Sequence, residues 1–166
     1  MFYLDLFRDF QKNEIKYLVV GGLAVNLHGV PRMTNDVDVI LSEEKENLVK
    51  FIESMRRLGY VPKLPVKADV LLDDEKINIW IKDRNLKAFT FYNTKDNYKV
   101  VDFLIVHPLN FAESYERKTV KSIDELEIHV VSYEDLITMK KSIGRPRDNQ
   151  DINLLERVRK LMGDMK

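Results

Sequence analysis

Hydrophobic and polar positions along the chain fall into two periods. Phe2, Leu6 and Phe10 stand one helical turn apart with Tyr3 and Phe7 beside them, which predicts an amphipathic helix over residues 2–12. Tyr17 to Val20 is a short apolar run that reads as a strand and stops at Gly21-Gly22. A helix-compatible segment, Leu23 to His28, follows, and the chain turns at Gly29-Val30-Pro31. The run Asp36-Val37-Asp38-Val39-Ile40-Leu41 then alternates acids with branched apolar residues. Side chains alternate across a strand, so Asp36 and Asp38 face one way and Val37, Val39 and Leu41 the other.

Ser42-Glu43-Glu44 predicts a helix start, with a hydroxyl cap followed by acids near the positive end of the dipole. Leu48, Phe51, Ile52, Met55 and Leu58 repeat at helical spacing, and Gly59 predicts the stop. Between Tyr60 and Tyr98 the pattern weakens. Pro62 and Pro65 interrupt it, Ala68 to Trp80 reads as a helix followed by a strand, and Ala88 to Tyr92 reads as a strand. Asn93 to Asn97 reads as a hairpin loop leading into Tyr98–Val106, a strand apolar on both faces apart from Asp102. Those apolar flanks predict a central strand. Phe111–Arg117 predicts a short helix and Leu126–Val131 a strand. Ser132-Tyr133-Glu134-Asp135 has the spacing of a capping box, opening a helix that runs through Ile143 and ends at Gly144. A last helix, Asp148 to Met162, carries Ile152, Leu155, Val158 and Met162 on one stripe. With no repeat or linker, the expectation is one α/β (α+β) domain over residues 1–166. Its core spans about residues 15–131, and a C-terminal helical pair spans about 132–163.

Composition narrows the possible chemistry. The 166 residues are 45% hydrophobic and 33% charged, as in a soluble globular protein. No apolar run is long enough to span a bilayer and no signal peptide is legible, so the expected location is cytoplasmic. Zero cysteines leave only oxygen and imidazole as metal ligands. Lys plus Arg and Asp plus Glu are 27 each, so any polyanion must be held by a local patch.

Two carboxylates side by side on a half-buried strand repel each other, and a cation or a proton relieves the conflict. An Asp-x-Asp strand beside a strand carrying Asp102 can converge three carboxylates, a hard-oxygen set suited to Mg²⁺ or Mn²⁺. Two such ions roughly 3.5–4 Å apart can activate a hydroxyl and stabilise a leaving pyrophosphate. The glycine pair, without Cβ atoms, lets the backbone approach a triphosphate at a helix start.

Gly21-Gly22, thirteen residues, then Asp36-Val37-Asp38-Val39 resembles the signature of the nucleotidyltransferase superfamily that includes DNA polymerase beta. The fuller string from Gly21 to Asp38, with Arg32 and Thr34 before the acids, is similar to a prokaryotic branch related to the AbiEii/MenT-type toxins. Tyr133 to Lys140 and Gly144 to Asp151 resemble that branch as well. The resemblance implies a short mixed β-sheet flanked by helices with a C-terminal helical pair. It implies that Asp36, Asp38 and Asp102 bind Mg²⁺ (or Mn²⁺) and carry catalysis, Asp102 helping to deprotonate the attacking hydroxyl. It further implies that Gly21 and Gly22 contact the triphosphate and that Arg32, Thr34 and Lys140 line the nucleotide pocket. Arg145 and Arg147 would add positive charge near a substrate. The implied reaction moves an NMP from an NTP to a hydroxyl on an RNA 3′ end, a protein or a small molecule. A partner protein or a homodimer would complete the acceptor site, and toxin–antitoxin biology is implied by the branch.

Plainer readings accompany each residue. Asp-x-Asp on an edge strand is a solvated face, and Asp69, Asp73 or Asp96 could take the place of Asp102. Gly21-Gly22 can be a tight turn, and Lys140 a cation at a helix C-terminus. His28 reads as a packed or capping imidazole, Asp148 as a helix cap, and His107, His129 and Trp80 as structural. Segment 140–166 holds eight Lys or Arg against four Asp or Glu, a contact for RNA or a plain helical surface. The rival functions are an antitoxin-like partner-binding module, marked by an exposed apolar patch near Ala68–Ile81, and a phosphohydrolase using the same acids.

Overall fold

The computed structural model describes residues 2–164. The chain runs through α1 (Tyr3–Lys12), β1 (Tyr17–Val20), α2 (Gly21–Leu27), β2 (Asp36–Leu41), α3 (Lys45–Arg57) and β3 (Tyr60–Pro62). A 3₁₀ helix (Ala68–Leu72) leads into α4 (Asp74–Arg84), β4 (Ala88–Asn93), β5 (Val100–Leu104) and α5 (Phe111–Glu116). The last elements are β6 (Thr119–Ile123), β7 (Leu126–Val130), α6 (Tyr133–Ile143) and α7 (Pro146–Asp164). The strands form one mixed sheet, ordered β3-β4-β5-β2-β1-β7-β6. Its centre is the pair β2–β5, which runs parallel, flanked by antiparallel β1 and β4.

Cross-strand neighbours project to the same side of a sheet. Val19, Val39, Phe103 and Phe89 therefore share one face. Phe51 of α3 packs on that face, its ring centroid 5.6 Å from Phe91 and 5.9 Å from Phe103. Phe10 of α1 meets both Phe51 and Tyr17, so α1 and α3 seal this side with buried aromatics. Val20, Asp38, Asp102 and Thr90 share the opposite face. There α2, backed by α6 and α7, covers β1 and buries Leu18, Val20 and Ile40. Over β5 and β4 the same face is only half covered, and Thr90, Tyr92, Val100 and Asp102 remain partly exposed. The step between the covered and open halves runs along β2.

The structure departs from the sequence pattern in four places. The helix expected from Ser42 begins at Lys45, because the backbone N–H of Ser42 donates to Lys16 O and Asn47 bonds both segments. The strand expected near Trp80 is helix α4. Asp73 accepts from Lys76 N at 3.1 Å to start it, Ile77 and Trp80 bury one side, and Asn85 in the left-handed region ends it. Two strands carried no clear signal, β3 and β6. With them the mixed sheet has seven strands among the described residues, flanked by helices and followed by the expected C-terminal helical pair.

Candidate active site

Asp38 and Asp102 stand directly opposite each other on parallel β2 and β5, and Asp36, two residues earlier on the same face, pairs with Val100. Asp36 is exposed, whereas Asp38 and Asp102 are half-buried. Among the described residues no ion pair reaches any of the three. Desolvation, reinforced by the charges of Asp102 and Asp36, pushes the Asp38 carboxyl up to about 7, against a weaker pull from Lys140. Asp36 is raised too, by desolvation and by Asp102. No three acids or imidazoles among the described residues are drawn together tightly enough to form a finished ion cage. The three aspartates are an open, mutually repelling set. They fit a hard divalent cation by donor chemistry: oxygen ligands, excess negative charge and no protein cation bonded to them.

Of the four candidate acids for the third position, Asp102 is the one that lies beside Asp38. Asp69 pairs with Arg56 at 2.9 Å, Asp73 caps α4, and Asp96 accepts from Tyr98 N at 3.2 Å within its own loop. Asp102 alone of the four lies on the strand beside Asp38.

The glycine pair packs against this set. Gly21 has φ +65°, and a Cβ added there would lie 2.0 Å from Asp38 Oδ2. Gly22 opens instead onto the loop before β2, where an added Cβ would lie 2.8 Å from Thr34 Oγ1 and 3.4 Å from an Arg32 guanidinium nitrogen. The turn is therefore tight, and it also brings Gly21, Gly22, Arg32, Thr34 and Asp38 into one place.

Arg32 and Lys140 meet through an acid that the sequence pattern did not single out as a site residue. Asp151 Oδ2 lies 2.5 Å from Arg32 Nη1 and 2.9 Å from Lys140 Nζ. Lys140 also reaches Asp148 at 3.2 Å, and Arg145 Nε donates to Asp148 at 2.8 Å. Lys140, Asp148 and Asp151 are all buried. Asp148 keeps its carboxyl below the usual range: burial acts to raise it, and the bonds from Arg145 and Lys140 outweigh that. Asp148 also accepts from Arg145 N at 3.2 Å, a cap-like contact at the start of α7. The network anchors the loop before β2 to α6 and α7, with positive charge beside the aspartates; Arg145 lies near enough to feel Asp38. Arg147 is exposed.

Sequence pattern also gave no hint of Thr90, whose Oγ1 donates to Asp102 Oδ1 at 2.6 Å from the neighbouring strand. The histidines are packed: His28 Nε2 lies 2.8 Å from Val131 O, His107 Nδ1 accepts from Leu109 N, and His129 stacks on Tyr17. Trp80 is buried beneath Lys76 and Arg84.

A mixed sheet carrying acid-x-acid on one strand, a third acid on its parallel neighbour and a glycine turn packed on the acids defines a nucleotidyltransferase-type fold. The chain belongs to the family described as nucleotidyltransferase of unknown function (DUF6036), whose model matches residues 4–161. Among solved structures it is similar to the lincosamide antibiotic adenylyltransferase LnuA in its lincomycin-bound form. That match has a TM-score of 0.59 and 14% identity, covering 95% of this chain and 94% of that one. It is also similar to ANT(2")-Ia in complex with adenylyl-2"-tobramycin. Here the TM-score is 0.51 and the identity 12%, covering 95% of this chain and 90% of that one. No curated protein matches the chain by sequence. Among the described residues no helix is long and apolar enough to cross a membrane.

Proposed function

We propose that this protein is a Mg²⁺- or Mn²⁺-dependent nucleotidyltransferase that moves an NMP from an NTP to a hydroxyl acceptor and releases pyrophosphate. The observation that carries this reading is the facing pair Asp38 and Asp102, with Asp36 beside them and Gly21 packed on Asp38. Asp36, Asp38 and Asp102 would hold the ion, which when bound supplies Lewis acidity toward the triphosphate and the attacking hydroxyl. In the reaction the acceptor oxygen bonds to the α-phosphorus as the bond from that phosphorus to the pyrophosphate oxygen breaks. Asp102, half-buried on the open half of the face, would help deprotonate the attacking hydroxyl. Gly21 and Gly22 leave backbone room for the triphosphate. Thr34, Arg32 and Lys140 line the side where its charge would lie, Arg32 and Lys140 held there by Asp151.

The acceptor is a hydroxylated small molecule if the chain follows LnuA and ANT(2")-Ia, and RNA or protein if it follows the toxin-like branch. The chain is read as cytoplasmic, where NTPs are made, and a partner protein or second copy would complete the acceptor site. The partner-binding alternative calls for an exposed apolar patch near Ala68–Ile81. There Ala68, Leu71, Ile77 and Trp80 are buried, and Ile79 alone is about half exposed, at 48%, among the large apolar residues of that stretch.

The test is metal-dependent transfer of label from each α-labelled NTP in a cell extract, resolved into RNA, protein and small-molecule fractions. The Asp36→Ala/Asp38→Ala double variant is the control. Label in one fraction that vanishes in the variant supports the reading and names the acceptor. Phosphate release without an acceptor points to a hydrolase, and absence of both NTP and metal binding sinks the active-site reading.

A further inference from the structure

Thr90 occupies the centre of β4, directly opposite Asp102 on β5 and on the same face as Asp38. It is the one aliphatic hydroxyl in the run Ala88-Phe89-Thr90-Phe91-Tyr92, whose other members are apolar or aromatic. Phe89 and Phe91 point into the core, where both are buried, so the strand is fixed from beneath. From the outer side Lys63 N donates to Thr90 O at 2.8 Å, which ties the same residue to the chain beyond β3.

The side chain is correspondingly well aimed. Two heavy atoms on its Cβ restrict χ1, so the hydroxyl samples few directions. It donates to Asp102 Oδ1 at 2.6 Å, a short hydroxyl–carboxyl bond. The hydroxyl proton is thus committed to this bond. Asp102 needs such a restraint. It faces Asp38 across the parallel pair, with Asp36 two residues further along the face, and no protein cation bonds to it among the described residues. The charges of Asp38 and Asp36 bear on it, and the Asp38 and Asp102 side chains also meet directly. The Thr90 bond retains one oxygen on the β4 side and leaves the other for the Asp38 side.

We infer that Thr90 is the positioning residue of this site: by holding Asp102 Oδ1 it presents the remaining Asp102 oxygen, opposite Asp38, to a divalent cation. The inference rests on the metal-dependent reading above. Groups that orient metal ligands without touching the ion commonly account for about 10–100-fold in affinity or activity, and Thr90 has the position of such a group.

The experiment uses the full chain with Mn²⁺ as the probe, free ion being counted by electron paramagnetic resonance in the presence of a non-hydrolysable NTP analogue. Thr90→Val keeps the shape and the β-branch and removes the donor; Thr90→Ser keeps the donor. Thermal unfolding is followed alongside. Weakening of Mn²⁺ binding by about tenfold or more in Thr90→Val, with binding close to wild type in Thr90→Ser and both variants folded, is the expected result. Equal binding by Thr90→Val and wild type overturns the inference, as does a Thr90→Ser variant as weak as Thr90→Val, which would assign the loss to packing. If the wild type itself binds Mn²⁺ no better than the Asp36→Ala/Asp38→Ala variant, the metal reading falls and the Thr90 inference with it.

Discussion

A Cβ atom at Gly21 would lie 2.0 Å from Asp38 Oδ2, closer than any non-bonded contact allows. The backbone there has φ +65°, the left-handed region, which costs a residue with a Cβ about 1–2 kcal/mol. Glycine is thus required twice at one position, once by the turn and once by the carboxylate.

Gly21→Ala should therefore cost more than the backbone term, because Asp38 must also move. Transfer activity should fall about 10²-fold, the scale on which roughly 1 Å of misplacement acts on catalysis. At Gly22 the added Cβ meets the Thr34 hydroxyl at 2.8 Å rather than a carboxylate, so Gly22→Ala should be the milder change. Urea unfolding and label transfer measured on both variants check the order; a Gly22→Ala variant worse than Gly21→Ala would contradict it.

The pH dependence of stability in the metal-free protein follows from Asp38. Its carboxyl is pushed up to about 7, first by desolvation and then by Asp102 and Asp36, from an unfolded value of 3.8. Between those values the folded state binds more protons than the unfolded one, so unfolding free energy falls as pH rises. The loss begins near pH 4, is complete above about pH 7, and amounts to a few kcal/mol. In EDTA, urea midpoints should decline over that window. Asp38→Asn should flatten the decline and be the more stable protein at pH 8 while losing transfer. A wild-type midpoint that climbs from pH 5 to 8 would contradict the assignment.

Lys140 tests the anchoring network. Its ammonium is buried and bonded to Asp148 and Asp151, so Lys140→Met takes one of two cations from each of two buried acids, leaving Arg145 on Asp148 and Arg32 on Asp151. Removing one partner of a buried pair costs about 3–5 kcal/mol. The variant should unfold at lower urea by that amount, and Asp151→Asn in the same chain should return part of it. A simple sum of the two losses would show that the pair is not coupled.

The aspartates were legible because their information is local. Asp36-Val37-Asp38 declares its two faces by alternation alone, and β1 and β2 fall where the apolar run and that alternation place them. Asp102 was legible from its apolar flanks. The partners of these residues were not. Thr90 precedes Asp102 by twelve residues, and Asp151 follows Arg32 by 119, so only the sheet register and the packing of α7 bring them together. The missed strands have the same explanation. In β6 the sequence Thr-Val-Lys-Ser-Ile lies at a sheet edge, half-exposed, and is a strand because β7 pairs with it. In β3 only Tyr60, Val61 and Pro62 pair with β4, too few residues for periodicity to register. The misread stretch at Ile77–Trp80 alternates like a strand, and its helix is set by the Asp73 cap.

The strands also separate the carboxylates in space. Asp102 faces Asp38, whereas Asp69 is held by Arg56 and Asp96 by its own loop. Asp102→Ala should remove several kcal/mol of transition-state stabilisation, about 10²–10³-fold in rate. Asp69→Ala and Asp96→Ala lie off the site and should leave transfer close to wild type, although Asp69→Ala frees Arg56. All three removals delete one negative charge, so a general electrostatic effect would slow or speed the three alike. Label transfer at a fixed Mg²⁺ concentration, repeated at tenfold higher Mg²⁺, separates the cases. An Asp102→Ala rate that matches Asp96→Ala would take Asp102 out of the site and leave Asp36 and Asp38 without their third carboxylate.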